Sequence, residues 1–232
     1  MILDRRSLLA GLAATPFAGE TPDRQARRLF ADDFRQGLGQ WVIEAEKPAT
    51  VVARDGVLDI VTPGGLTAWF RRELTGHIAI TYQAQAVSEG GPYDRVSDLN
   101  VFWMAREVGG GSPLDHPRSG AFADYDTLET YYVGQGGNGN TSTRFRRYVG
   151  RPGERPLLPR HDHAAPDEML TPNRWTSVRL VADGSRIEYW SDGRRLFELD
   201  DAAPYRRGWF GLRTTQSHLR IRDFAVFRLA GR

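Results

Sequence analysis

WTSVRLVADGSRIEYWSDGRRLFEL, residues 175–199, holds two Asp-Gly pairs, Asp183-Gly184 and Asp192-Gly193, between runs of β-branched and aromatic residues. Asp-Gly supplies the positive φ that tight hairpin turns require, and runs of this length suit strands. The stretch therefore predicts a three-strand meander: Trp175 to Val181, Arg186 to Trp190 and Arg195 to Leu199. Working outward, Trp209 to Arg213 and Leu219 to Leu229 read as closing strands. Upstream, Val51 to Val61 reads as two short runs about Asp55-Gly56, and Gly64-Gly65 as a break. Leu66 to Leu74 and Ile78 to Val87 follow, the second alternating Ile78, Ile80, Tyr82 against Ala79, Thr81, Gln83. No stretch shows capped helical periodicity. A dozen short strands at this spacing predict an all-β fold, a two-sheet antiparallel sandwich or jelly roll.

The chain of 232 residues, 40% hydrophobic and 26% charged, fits one soluble domain with a sizeable core. Six Trp, eight Tyr and eleven Phe are a generous aromatic supply. Of the 31 basic residues only Lys47 is a lysine, and the net charge of +2 comes without a Lys/Arg block that could track a nucleic-acid backbone. The absence of cysteine excludes disulfides and thiolate metal sites. Asp4-Arg5-Arg6-Ser7-Leu8-Leu9, with the weakly apolar run Leu8 to Ala18, reads as a twin-arginine-type export signal over residues 1–20, too short to span a bilayer. The folded domain is expected over residues 29–229 of a periplasmic or secreted protein. Residues 109–123 and 150–172 are Gly/Pro-rich loops, and such length inside a compact domain is often functional. The second, with five Pro, is expected to be mobile and to rim a cleft.

The middle of the chain carries the chemistry. Ser97 to Met104, Thr127 to Val133 and Thr141 to Tyr148 read as strands, the last two joined by Gly134-Gln135-Gly136-Gly137-Asn138-Gly139-Asn140. If Leu128 points inward, alternation sends Thr130 and Tyr132 inward and Glu129 and Tyr131 outward. If Phe145 points inward, Arg144, Arg146 and Tyr148 share the outer face. A carboxylate, a phenol and two guanidinium groups would then stand together, as a solvated ladder or as a site.

Asp32-Asp33-Phe34 with Trp41, Leu99 to Trp103, Ile187 to Arg194, and Gly208 to Arg213 with Ile221 to Phe224 resemble concanavalin-like domains over about residues 29–229. More narrowly, the chain resembles small proteins of bacterial polysaccharide-utilisation clusters, including rhamnogalacturonan clusters. The resemblance implies a jelly roll that handles carbohydrate. Asp124-Tyr125-Asp126-Thr127-Leu128-Glu129 resembles the E-x-D-x-x-E strand of retaining β-glucanases, which implies Asp124 as nucleophile and Glu129 as acid/base. Asp124 is one methylene shorter than the Glu of that motif, which would widen the carboxyl separation.

Three functions are open. Cleavage of an acidic polysaccharide by β-elimination, the leading one, needs cations on the uronate carboxylate and an acid/base. Arg144 and Arg146 suit the first role, Tyr131 or Tyr148 the second, and His161 is an alternative base. Hydrolysis would use Asp124 and Glu129. A non-catalytic glycan binder would need only aromatic faces from Trp103, Tyr131 and Tyr93, and amides from Asn100, Asn138 and Asn140. His161-Asp162-His163 has no third metal ligand in view and reads as a polar loop. No metal or cofactor is expected. The expected partner is a polysaccharide or oligosaccharide, with neither nucleic acid nor membrane engaged after signal removal.

Overall fold

A computed structural model describes residues 26–230; the expected export segment lies outside the described residues. Fourteen strands follow one another as β1 (Arg27–Asp32), β2 (Trp41–Ala45), β3 (Thr50–Arg54), β4 (Val57–Phe70), β5 (Leu74–Thr75), β6 (Ile78–Ala86), β7 (Leu99–Glu107), β8 (Leu128–Gly136), β9 (Ser142–Val149), β10 (Asp162–His163), β11 (Trp175–Asp183), β12 (Arg186–Ser191), β13 (Arg194–Asp200) and β14 (Arg207–Arg228). All named pairings are antiparallel, and helical turns among the described residues are three to six residues long. The meander of β11, β12 and β13 falls where expected, its strands running one or two residues longer at four of the six ends. The fold is a β-sandwich jelly roll, as the strand spacing predicts.

The two sheets share the β4–β14 pair. The first half of β14 pairs β7, which continues through β8 and β9 to β10; its second half pairs β6, which continues through β11 and β12 to β13. β4 follows β14 along nearly its whole length, from Trp69 opposite Gly211 to Leu58 opposite Ile221. The changeover falls at a bulge between Thr215 and Ser217, where Gln216 takes a positive φ. Residues 207–228 thus form one strand where two were expected. Gly64-Gly65 likewise lies inside β4 and does not end it. Pro63 is tolerated there because β3 pairing stops at Val61 and β2 pairing starts at Leu66. A Cβ on Gly65 would stand 2.2 Å from the Gly120 carbonyl, so glycine is what lets the 113–127 segment cross the sheet.

Between the sheets lies the main core, with Trp103, Tyr131, Val133 and Phe145 from one side facing Ile80, Leu180, Tyr189 and Phe197 from the other. A second apolar cluster covers the outer face of the β7–β8–β9 sheet: Trp69, Phe102, Leu128, Tyr132 and Tyr148, with Tyr125, Leu114 and Phe122 from the 113–127 segment laid over it. Glu44 ties that cover down, accepting from the Trp69 indole and the Tyr125 hydroxyl at 2.8 Å each and from the Arg118 amide at 2.8 Å. Within residues 150–172, the stretch 161–170 is anchored to the sheets. β10 pairs β9, and His161, Glu168 and Leu170 are buried. The expectation of a loop without strand pattern is corrected over 159–170, where Pro159 and Pro166 open short turns between anchoring contacts.

Candidate functional site

Sheet register aligns two rows of side chains on the outer face. Across β2, β4, β14, β7, β8 and β9, one row runs Glu44, Thr67, Arg213, Asn100, Gly134 and Arg144. The adjacent row runs Val42, Trp69, Gly211, Phe102, Tyr132 and Arg146. The polar row and the aromatic row meet at Gly134. A methyl there would lie 2.8 Å from Tyr132 Oη and 3.0 Å from Asn100 Oδ1, so the glycine lets the phenol and the amide lie close over the β8 backbone.

Two polar atoms of this face are buried without a hydrogen-bond partner: Asn100 Oδ1, on a residue 4% exposed, and Tyr148 Oη, on a residue fully enclosed. Orphaned acceptors and donors cost about 1–3 kcal/mol each, so a face that keeps them invites a ligand or water to satisfy them. Asn100 Nδ2 reaches Asp98 at 3.5 Å, and Asp98 also takes Ser97 Oγ at 2.6 Å and Arg95 at 2.5 Å. Arg144 pairs with Asp162 at 2.7 Å, Arg155 with Asp126 at 2.6 Å, and Arg146 donates to the Arg155 carbonyl. Arg213, buried, donates to Thr67 Oγ1 and the Gly120 carbonyl at 3.0 Å each while its guanidinium lies over Phe122 and Tyr125. Burial lowers the Arg213 pKa, the tyrosines around it working the other way. Burial raises the pKa of Tyr132 and Tyr148, and Arg213 and Arg146 only partly oppose that rise.

Arg144, Arg146, Tyr148 and Asn100 do share the outer face, but Glu129 and Tyr131 do not join them. Tyr131 stands opposite Arg147, and Glu129 opposite Val149, on the core side of the sheet. Tyr131 donates to Asp201 at 2.6 Å and accepts from the Tyr205 amide at 3.1 Å. Burial and that hydrogen bond raise its pKa, the reverse of what a base requires. Glu129 pairs with Arg106 at 2.7 Å. Trp103 is fully enclosed between Phe145 and Tyr131, so it offers no sugar platform. His161 is wedged against Phe145 and Phe197; burial lowers its pKa, and Nε2 donates to the Glu198 carbonyl at 3.1 Å. Asn138 holds Ser142 across the hairpin at 3.0 Å, and Asn140 ties down Leu170 through both amide atoms.

The three acids of 124–129 do not share a strand. Asp124 and Asp126 sit in the turn Phe122–Thr127, the first accepting from Ser119 Oγ at 2.5 Å, and only Glu129 is on β8. In the 161–163 triplet, Asp162 is spent on Arg144 and His163 on Glu168 at 2.9 Å. Among the described residues no group of three or more His, Asp or Glu is placed to hold a metal ion. Sequence reasoning missed Arg213, Tyr132, Gly134 and Thr67. Arg213 carried a signal, an arginine following the apolar Trp209–Leu212 run, at a position that alternation sends to the outer face.

A search of curated proteins returns no match. Among solved structures, a protein of unknown function with a galectin-like fold from Bacillus subtilis is 15% identical at a TM-score of 0.68, over 90% of this chain and 100% of that one. The exoplasmic/lumenal domain of VIP36 in a Ca2+/Man-bound form is 10% identical at 0.57, over 83% and 84%. The carbohydrate recognition domain of Emp46p, metal-free, is 13% identical at 0.53, over 84% and 90%. At such identities the likeness is one of fold. Residues 60–224 match the family model of DUF6250, a domain of unknown function, and the chain belongs to that family.

Proposed function

We propose that this protein is a non-catalytic glycan-binding module whose site is the outer face around Asn100, Tyr132, Gly134 and Arg146. The observation that carries the reading is the unpartnered Asn100 Oδ1, which shares the space over Gly134 with Tyr132 Oη. A sugar hydroxyl both donates and accepts, so one hydroxyl over Gly134 can donate to Asn100 Oδ1 while accepting from Tyr132 Oη. The fold adds support, since VIP36 was solved with mannose and the Emp46p domain is a carbohydrate recognition domain. Catalysis finds less: Tyr131 and His161 face the core, burial raises the pKa of Tyr148 on the outer face, and Asp124 and Glu129 sit on different elements, each already bonded. The reading includes export, resting on Arg5-Arg6 and the apolar run after it; exported material should begin after Ala18, and material beginning at Met1 would overturn that part.

The test incubates the protein with a panel of neutral and acidic polysaccharides, following binding, reducing ends and ultraviolet absorbance together. Binding with neither chemical signal is expected. Reducing ends rising alone would mean hydrolysis, and both signals rising would mean elimination.

A further inference from the structure

Resting on that saccharide reading, we propose that the sugar taken at this face is anionic, its charged group meeting Arg146 while a ring hydroxyl sits over Gly134. The face holds five guanidinium groups, from Arg95, Arg144, Arg146, Arg155 and Arg213. Three are paired with Asp98, Asp162 and Asp126 at 2.5–2.7 Å. The other two, Arg146 and Arg213, hydrogen-bond to neutral oxygens. A buried guanidinium without a carboxylate within ion-pairing distance among the described residues is costly to keep, and an anion at the face repays that cost.

Arg146 is placed to make the contact. It is half-buried beside Tyr132 in the aromatic row, and its charge acts on both Tyr132 and Tyr148. A guanidinium fork matches a planar carboxylate or a sulfate with two parallel hydrogen bonds. Asn100 Oδ1, an acceptor, needs the neutral part of the same ligand. A free inorganic anion would satisfy the arginine and leave the amide orphaned; an acidic sugar satisfies both.

Calorimetry with three probes tests this at low and high ionic strength: a trimer of 4-linked galacturonic acid, the same trimer as its methyl ester, and a sulfated tetrasaccharide. Either acidic probe should bind at least tenfold more tightly than the ester, with affinity falling as salt rises. Arg146→Gln should lose about ten- to a hundredfold, the worth of a charge-assisted pair, and Arg146→Lys should recover part of it. Melting curves of both variants confirm folding, and Asn100→Ala gives a second, uncharged route into the same site. Binding of carboxylate but not sulfate, or the reverse, fixes which anion is meant. Equal binding of the ester, or binding in the wider panel confined to neutral glycans, overturns the anionic inference and leaves the saccharide reading standing. Failure of every saccharide overturns both.

Discussion

Tyr131 and Tyr132 are consecutive, and their hydroxyls end on opposite sides of a sheet with different work to do. Tyr131 fastens the chain after β13: it and Arg147, at 2.7 Å, both donate to Asp201, and Tyr205 returns its hydroxyl to the Tyr148 carbonyl at 2.7 Å. Tyr131→Phe should therefore cost about 1.5–3 kcal/mol of stability by losing a hydrogen bond to a charged acceptor. Denaturant titration reads that loss, and saccharide affinity should not change; intact stability with abolished binding would contradict this placement. Tyr132→Phe should do the opposite, weakening binding several-fold with a small effect on the melting temperature. Alternation along β8 was legible in the sequence, and so was the inward position of Phe145. The face of Tyr131 was not, because the assignment was anchored on Leu128. Leu128 is buried on the outer side, under the 113–127 cover. A strand apolar on both faces gives period-2 reasoning no anchor, and a one-residue error sends every side chain to the wrong side.

At the scale of elements, residues 150–172 link the two sheets. Gln135 of β8 donates to the Glu168 carbonyl at 3.3 Å and to Ser191 of β12 at 3.1 Å, while Glu168 pairs with Arg194 of β13 at 2.8 Å and with His163 at 2.9 Å. Glu168→Ala removes the buried carboxylate shared by Arg194 and His163 and should cost about 1.5–3 kcal/mol, the worth of a hydrogen bond to a charged group. Hydrogen exchange should show the amides of 161–170 protected in the native protein and released in that variant. Free exchange in the native protein would restore the picture of a mobile rim. Sequence reading failed here because its two strongest signals, Pro content and loop length, report on turns and not on packing. It failed over Thr214–His218 for a related reason. That polar run looks like a gap between strands, yet Thr214 and Ser217 are buried and bonded to each other where β14 passes from one sheet to the next. The Asp-Gly meander was legible because the turn chemistry is local.

For the whole molecule, the response to acid follows from which groups folding perturbs. Burial holds the pKa of His161 below 6.5, so the unfolded chain takes up a proton that the native state refuses, and stability should begin to fall as the pH drops through about 6.5. Burial alone would raise Asp183 and Asp201, but hydrogen bonds from His77 and Arg186 to the first, and from Tyr131 and Arg147 to the second, hold both below 3.8. Their contribution is complete above that value and is lost as the pH falls further, giving a second, steeper decline. Melting temperature against pH should show both phases, with His161→Phe removing the first; a profile flat down to pH 4 would contradict the burial of the imidazole. Two sheets sharing one strand pair leave Asn100 Oδ1 and Tyr148 Oη unpartnered on the outer β7–β8–β9 face, as Tyr82 Oη and Trp103 Nε1 are in the core, and saccharide recognition at the outer face is the central claim. Nitrogen-edited NMR during titration with an acidic oligosaccharide tests it most directly. The backbone amides of Asn100, Tyr132, Gly134 and Arg146 should shift together and saturate at one affinity. Shifts confined to the meander of β11, β12 and β13, or none at saturating ligand, would contradict the account.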